Sequence, residues 1–226
     1  LIEDAAHAPG MPEVGRLSDA SAFSFFANKN MTTAEGGMAL SSDEKTLSVI
    51  RRLRGHGMTS DTLVRHRGHA YSYDVTMLGF NYRMDELRAA LGLVQLRHIQ
   101  EWNGKRNELA QFYRSRLASQ VSSIVVPFNG DHPTAAHLMP VLLPAGCRRE
   151  KVMDILRRSG IQSSIHYPPV HQFSYYRRRY PGAVLATSEE FCRRELSLPL
   201  HPALEGADVD RIVTCLQSAL KKERGL

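Results

Sequence analysis

Between Met84 and about Ser119 apolar residues recur at helical spacing, with Met84, Leu87, Leu91, Val94 and then Leu109, Phe112 and Tyr113 falling near one face. The spacing predicts one or two long helices, and Gly104 is the expected break, because glycine is the weakest helix former after proline. So long a helical tract splits the chain into a first part, 1–100, which contains the start of a connecting helix, and a second part, 101–226. The first part reads as strands and glycine-rich turns, the second as a smaller α/β domain. An α/β architecture follows.

Within 1–42 the strand-forming pieces are Leu1-Ile2 leading into Asp4, Ala22 to Phe26, and Met38-Ala39-Leu40 after the Gly36-Gly37 turn. Ser42-Asp43 is a cap signal for a helix over 43–54 with a stripe of Leu47, Ile50 and Leu53. Residues 55–80 are rich in Gly, His and Arg and lack periodicity, so a long loop is expected there. The second part predicts a strand at Leu138–Leu143, a helix over 148–158, a strand at Gly160–Ile165, a proline-containing loop, a helix over 187–195 and a last helix over 208–222. That last helix carries Val209, Ile212, Val213, Leu216 and Leu220 as a core-facing stripe.

Composition narrows the function classes. The chain has 226 residues and is 42% hydrophobic, enough for a real core, and no apolar run approaches the roughly 20 residues that cross a bilayer. A soluble, cytoplasmic protein is expected, with no membrane partner. The formal charge of +6 invites a polyanion. Its excess lies in local runs such as Arg177-Arg178-Arg179 without a stacking platform, so no nucleic-acid partner is expected, and some arginines suit a small anionic substrate instead. Cys147, Cys192 and Cys215 show no CxxC spacing, which speaks against a disulfide framework or a zinc site. His66 and His69 lie in a basic loop whose spacing fits no common metal-ligand pattern.

The chemistry concentrates around Lys29. It sits between aromatic Phe25-Phe26 and a hydroxyl-rich turn, Thr32-Thr33, that ends in Gly36-Gly37. Apolar surroundings lower an amine's pKa and make it a nucleophile toward aldehydes, so Lys29 fits a Schiff-base lysine, although spacing alone favours a surface lysine in a turn. Asp4, at the end of an apolar strand upstream, is placed to hold a proton on a pyridine nitrogen, as a pyridoxal 5'-phosphate (PLP) site requires; alone it reads as a helix cap or turn residue.

Six segments in order, IEDAAHA (2–8), FSFFANKNMTTAEGGM (23–38), LRGHG (53–57), LGFNYRMDELRAALGLVQL (78–96), SIHYPPVHQ (164–172) and LSLPLHPAL (196–204), resemble the DegT/DnrJ/StrS-type family of PLP-dependent nucleotide-sugar aminotransferases. The resemblance implies the aspartate-aminotransferase-like fold, fold type I, with 1–100 as part of the large PLP-binding domain and 101–226 as the small C-terminal domain. It implies that Lys29 holds the cofactor as a Schiff base and then shuttles the proton, and that Asp4 pairs with the pyridine nitrogen. His7 contacts or orients the ring, or is a plain core histidine. Ser24 binds the phosphate, and Asn81 reaches the phosphate of a neighbouring subunit's cofactor, which implies a homodimer with shared active sites. His166 and Tyr167 lie near the sugar nucleotide, although Tyr167 equally suits packing.

The implied partners are an amino-acid donor, glutamate by resemblance, and a nucleotide-linked keto sugar. Relatives carry a further stretch before IEDAA, and Leu1 opens inside a strand, so the chain reads as an N-terminally shortened member. Two alternatives accompany the aminotransferase reading. One is an inactive fragment or pseudoenzyme acting as a binding module; the other is a sugar dehydratase relative, in which histidine replaces the lysine.

Overall fold

In the computed structural model, which describes residues 1–59, 68, 72–128, 130 and 133–224, the chain divides into two units, Leu1–Glu101 and Trp102–Leu226. The first is built on three short strands, β1 (Ile2–Asp4), β2 (Ala20–Ser24) and β3 (Gly37–Leu40). β1 runs parallel to β2 with Asp4 opposite Ala22, and β2 runs antiparallel to β3 with Ser24 opposite Gly37. The segment between β1 and β2 is gathered by Glu3, whose carboxylate accepts from the Gly15 N–H at 2.7 Å, the Ser21 hydroxyl at 3.0 Å and the Ser18 hydroxyl at 3.2 Å. These donors hold the Glu3 carboxyl below its ordinary pKa, the Gly15 N–H contributing most.

Helix α1 (Glu44–Arg54) starts where the cap signal lies: the Asp43 carboxylate accepts from the Thr46 N–H at 2.8 Å and the Lys45 N–H at 3.3 Å. Its stripe of Leu47, Ile50 and Leu53 is half-buried. The expected loop over 55–80 lies partly outside the described residues, and His66 and His69 fall there. Its described ends pair: Met58 bridges Val75, and the Thr76 N–H donates to the Gly57 carbonyl at 3.0 Å. Gly57 has φ +72, and a Cβ there would lie 1.8 Å from the Met77 carbonyl oxygen, so only glycine allows this crossing.

Helix α2 (Glu86–Gln120) is one helix of 35 residues; Gly104 does not break it. Gly104 is exposed, and the propensity loss of about 1 kcal/mol is outweighed because Asn103 and Arg106 beside it, and Leu109, Tyr113 and Leu117 further on, are buried. The inward face also differs from expectation in the first unit. Leu87, Leu91 and Val94 are exposed, whereas Gly92 and Ile99 are buried and Gln95 is half-buried. Close backbone approach and a side-chain hydrogen bond choose that face, and neither appears in an apolar periodicity.

The second unit packs the carboxyl half of α2, α3 (Arg149–Arg158) and α6 (Gly206–Arg224) with an antiparallel pair, β4 (Met139–Leu142) and β5 (Glu195–Leu198). Tyr113, Leu117, Val152, Leu156, Val141, Leu196, Val213 and Leu216 are nearly or fully excluded from solvent. The Tyr113 hydroxyl donates to the Pro199 carbonyl at 2.9 Å, and burial pushes its pKa far up. The strand expected at Gly160–Ile165 is only a bridge, Ser164 to Ser197. Pro168 and Pro169 bring no N–H to extend a ladder, and the His166 N–H is taken by a side chain, the Glu195 carboxylate, at 2.8 Å. The proline-containing loop holds a short 3-10 turn, Val170–Gln172, and α4 (Ser174–Arg179), followed by α5 (Ala186–Arg194). Among the described residues no helix is long and apolar enough to cross a membrane, and no group of three or more His, Cys, Asp or Glu is arranged to hold a metal ion.

Leu216→Ala is expected to cost about 2–5 kcal/mol, because a fully buried side chain leaves a cavity shared by helices and strands. Urea unfolding followed by circular dichroism checks this, and an unchanged midpoint would contradict the packing described.

Candidate active site

The lysine loop, residues 25–36, is closed on itself by backbone and hydroxyl contacts. The Phe25 N–H donates to the Gly36 carbonyl and the Thr33 N–H to the Phe25 carbonyl, both at 2.9 Å. The Thr32 hydroxyl accepts from the Ala34 N–H at 2.9 Å, and that of Thr33 donates to the Glu35 carbonyl at 2.9 Å. Asn30, Met31 and Thr33 are buried. The hydroxyl-rich composition therefore serves the loop's own closure.

Helix α2 seats this loop. The Gln95 amide oxygen accepts from the Thr32 N–H at 3.2 Å, and Ile99 packs in one cluster with Phe25 and Met31. A Cβ on Gly92 would stand 2.9 Å from the Thr33 methyl carbon, so the loop rests on the helix backbone where glycine lets it. None of these contacts was identified from sequence, although an isolated glycine within a helical pattern, as in AALGLVQL, is a signal of close packing.

Lys29 follows β2 in this loop and is half-buried; its backbone N–H donates to the Phe26 carbonyl at 3.0 Å. Burial lowers the pKa of its amine below the ordinary lysine value, and the charge of Asp4 partly offsets that. Asp4 and Lys29, 25 positions apart in sequence, are thus brought within electrostatic reach. Asp4 ends β1, is exposed, and its carboxylate accepts from the Ala6 N–H at 3.0 Å. Ser24 ends the parallel neighbour β2, half-buried, and its hydroxyl oxygen accepts from the Phe26 N–H at 3.4 Å. His7 lies half-buried in the turn that follows β1.

Asn81 is exposed and bridges Gly55 just past α1; on either side of it the Phe80 N–H donates to the Leu53 carbonyl at 2.6 Å and the Tyr82 N–H to the Arg54 carbonyl at 2.9 Å. His166 and Tyr167 belong to the second unit, where their rings meet edge-on at 4.9 Å. His166 is half-buried and its Nδ1 lies 2.7 Å from the Ser197 hydroxyl; Tyr167 is exposed.

A cofactor with an aldehyde, a ring nitrogen and a phosphate needs an amine of lowered pKa, a carboxylate and a short hydroxyl donor near one another. Lys29, Asp4 and Ser24 supply these at or beyond the carboxyl ends of two parallel strands, where α/β sheets take their ligands. The residues fit PLP.

The sequence model of the DegT/DnrJ/EryC1/StrS aminotransferase family matches residues 1–217. Among solved structures, the Helicobacter pylori aminotransferase PseC, involved in the biosynthesis of pseudoaminic acid, is 28% identical with a TM-score of 0.88, over 98% of this chain and 59% of its own. DesV of S. venezuelae, solved with a ketimine intermediate, is 32% identical with a TM-score of 0.82, over 96% and 57%. DesI, solved in the presence of its TDP-sugar product, is 28% identical with a TM-score of 0.83, over 99% and 56%. The chain thus spans less than three fifths of the length of each of these proteins.

Because the Asp4 charge raises the Lys29 pKa against the lowering by burial, Asp4→Asn is expected to lower it further. Reductive methylation of Lys29, followed by peptide mass mapping across pH, should show its midpoint at lower pH in the variant; a move to higher pH would contradict the pairing.

Proposed function

The chain belongs to the DegT/DnrJ/EryC1/StrS aminotransferase family, a family of the PLP-dependent fold type I, and from that premise we propose that it is a PLP-dependent aminotransferase that moves an amino group from glutamate to the keto group of a nucleotide-linked sugar. One observation carries the reading: a half-buried lysine amine of lowered pKa lies within electrostatic reach of a strand-end carboxylate. In this reading residues 1–100 supply part of the large cofactor-binding domain and 101–226 the smaller one.

PLP, when bound, supplies the electron sink for charge developing at the substrate carbon. The Lys29 amine holds the cofactor and moves the proton at Nζ to and from that carbon, work that suits an amine whose burial favours the neutral form. Asp4 keeps the pyridine nitrogen protonated, His7 orients the ring, and Ser24 binds the phosphate. Asn81 reaches the phosphate in the partner subunit of a cytoplasmic homodimer, and its exposure in this chain leaves it available for that. His166 and Tyr167 contact the sugar nucleotide, a substrate class supported by the TDP-sugar product of DesI. Formation of amino sugars for polysaccharide is the pathway class this chemistry serves. Lysine at position 29 disfavours the dehydratase alternative, and its lowered pKa disfavours a binding module without cofactor chemistry.

With PLP, isotopically labelled glutamate and a nucleotide-linked keto hexose, the protein is expected to yield labelled amino sugar. Lys29→Ala should reduce that yield by about 10²–10⁴-fold or more, the usual range for removing a positioned acid–base group. Undiminished transfer by the folded variant would sink the mechanism.

A further inference from the structure

The contacts between the lysine loop and α2 fall in a fixed order. Gly92, Gln95 and Ile99 stand at i, i+3 and i+7, on one face of the helix, and they meet Thr33, Thr32 and Met31 in turn. Thr33 lies against the Gly92 backbone, the Thr32 N–H donates to the Gln95 amide oxygen, and Met31 shares a cluster with Ile99. Three consecutive loop residues are thus laid along α2, running against its direction. Backbone donors elsewhere in the loop are answered from within it: the Phe25 N–H by the Gly36 carbonyl, that of Lys29 by Phe26, that of Thr33 by Phe25 and that of Glu35 by Thr33. The Thr32 N–H is answered from the helix, at 3.2 Å and across 63 positions of sequence. An N–H only donates, so the Gln95 carboxamide must turn its oxygen, not its nitrogen, to the loop.

That bond sets what packing leaves loose. Apolar burial is non-directional, and Thr32 and Thr33 carry the same side chain, so the contact at Gly92 alone does not distinguish one register from the next. A hydrogen bond is directional and ties one N–H of the loop to one residue of the helix. Lys29 lies three positions before Thr32, and the two residues between them, Asn30 and Met31, are each 4% exposed. A displacement at Thr32 is therefore passed along a buried link to the lysine. We propose that Gln95 is a positioning residue: by accepting the Thr32 N–H it fixes the register of the lysine loop on α2, and with it the place of the Lys29 amine. A slip of one residue is a step of about 3.8 Å between Cα atoms, whereas misplacement by about 1 Å costs on the order of 10²-fold in rate. The consequence for amino transfer rests on the aminotransferase reading; the dependence of Lys29 on Gln95 does not. Burial is the larger of the two influences on the Lys29 amine and lowers its pKa, so a loop released from the helix, with its lysine more exposed, returns that pKa upward toward the ordinary value.

The test follows amide hydrogen exchange at Thr32 by NMR, and the pH midpoint of Lys29 reductive methylation, in the wild type, in Gln95→Met and in Gln95→Glu. Methionine keeps the length of the side chain and loses the acceptor; glutamate keeps an acceptor oxygen. The Thr32 N–H is expected to exchange slowly in the wild type and in Gln95→Glu, and about tenfold faster or more in Gln95→Met. The Lys29 midpoint is expected to move to higher pH in Gln95→Met, a change that weakened packing elsewhere in a folded protein would not produce. A Thr32 N–H that exchanges in the folded wild type as freely as in an unfolded chain overturns the proposal, whether or not Gln95→Met folds. So does a folded Gln95→Met whose Lys29 midpoint stays at or below that of the wild type, or a folded Gln95→Glu that exchanges as fast as Gln95→Met. Neither readout needs PLP or a sugar, so a protein that fails to transfer an amino group and a loop that Gln95 does not hold are told apart.

Discussion

The contact between Thr33 and the backbone of α2 at Gly92 is the constraint on which the candidate active site depends. A loop that carries a reactive lysine must be held in place, and among the described residues of the first unit the apolar cluster around it is small, Phe25, Met31 and Ile99. Close approach at Gly92 and the Thr32 hydrogen bond to Gln95 substitute for bulk packing. The helix gives up propensity at Gly92 in return, roughly 1 kcal/mol relative to alanine. With the loop seated, Lys29 is half-buried between buried Asn30 and the strand end, and its pKa falls as a consequence of position.

The second unit solves a different problem. Its core is apolar and continuous, from Tyr113 through Leu156 to Leu216, and it embeds a carboxylate in the sheet beside β4. Burying a polar group is costly unless hydrogen bonds replace water. Glu195 meets that requirement with donors from His166 and Ser197, so the same bonds that make its burial tolerable also orient an imidazole. Structure and chemistry are not separable at that point of the fold.

Locally encoded features were legible in the sequence. The Asp43 cap, the strands around Asp4 and Ser24 and the stripe of α6 depend on residues within a turn or two of one another, and all are found. The buried face of α2 was not legible, because Leu87, Leu91 and Val94 have the spacing of a core stripe yet lie exposed, and a glycine and a glutamine face the lysine loop. Gly104 signalled a break that tertiary burial on its flanks overrides. The strand expected at Gly160–Ile165 failed because a side chain, not a neighbouring strand, takes the His166 N–H. For the candidate site, Lys29 and Asp4 were named from residue type and family resemblance; what could not be read was the support behind them, which joins residues as far apart as Thr32 and Gln95.

The central claim is that Lys29 is the amine that holds the cofactor. Mixing the purified protein with PLP, reducing with borohydride and mapping the peptides by mass tests it directly. The account predicts a phosphopyridoxyl group on Lys29, in the peptide that also carries Asn30 and Met31. A folded protein that takes the label only at other lysines, or takes none, would contradict it.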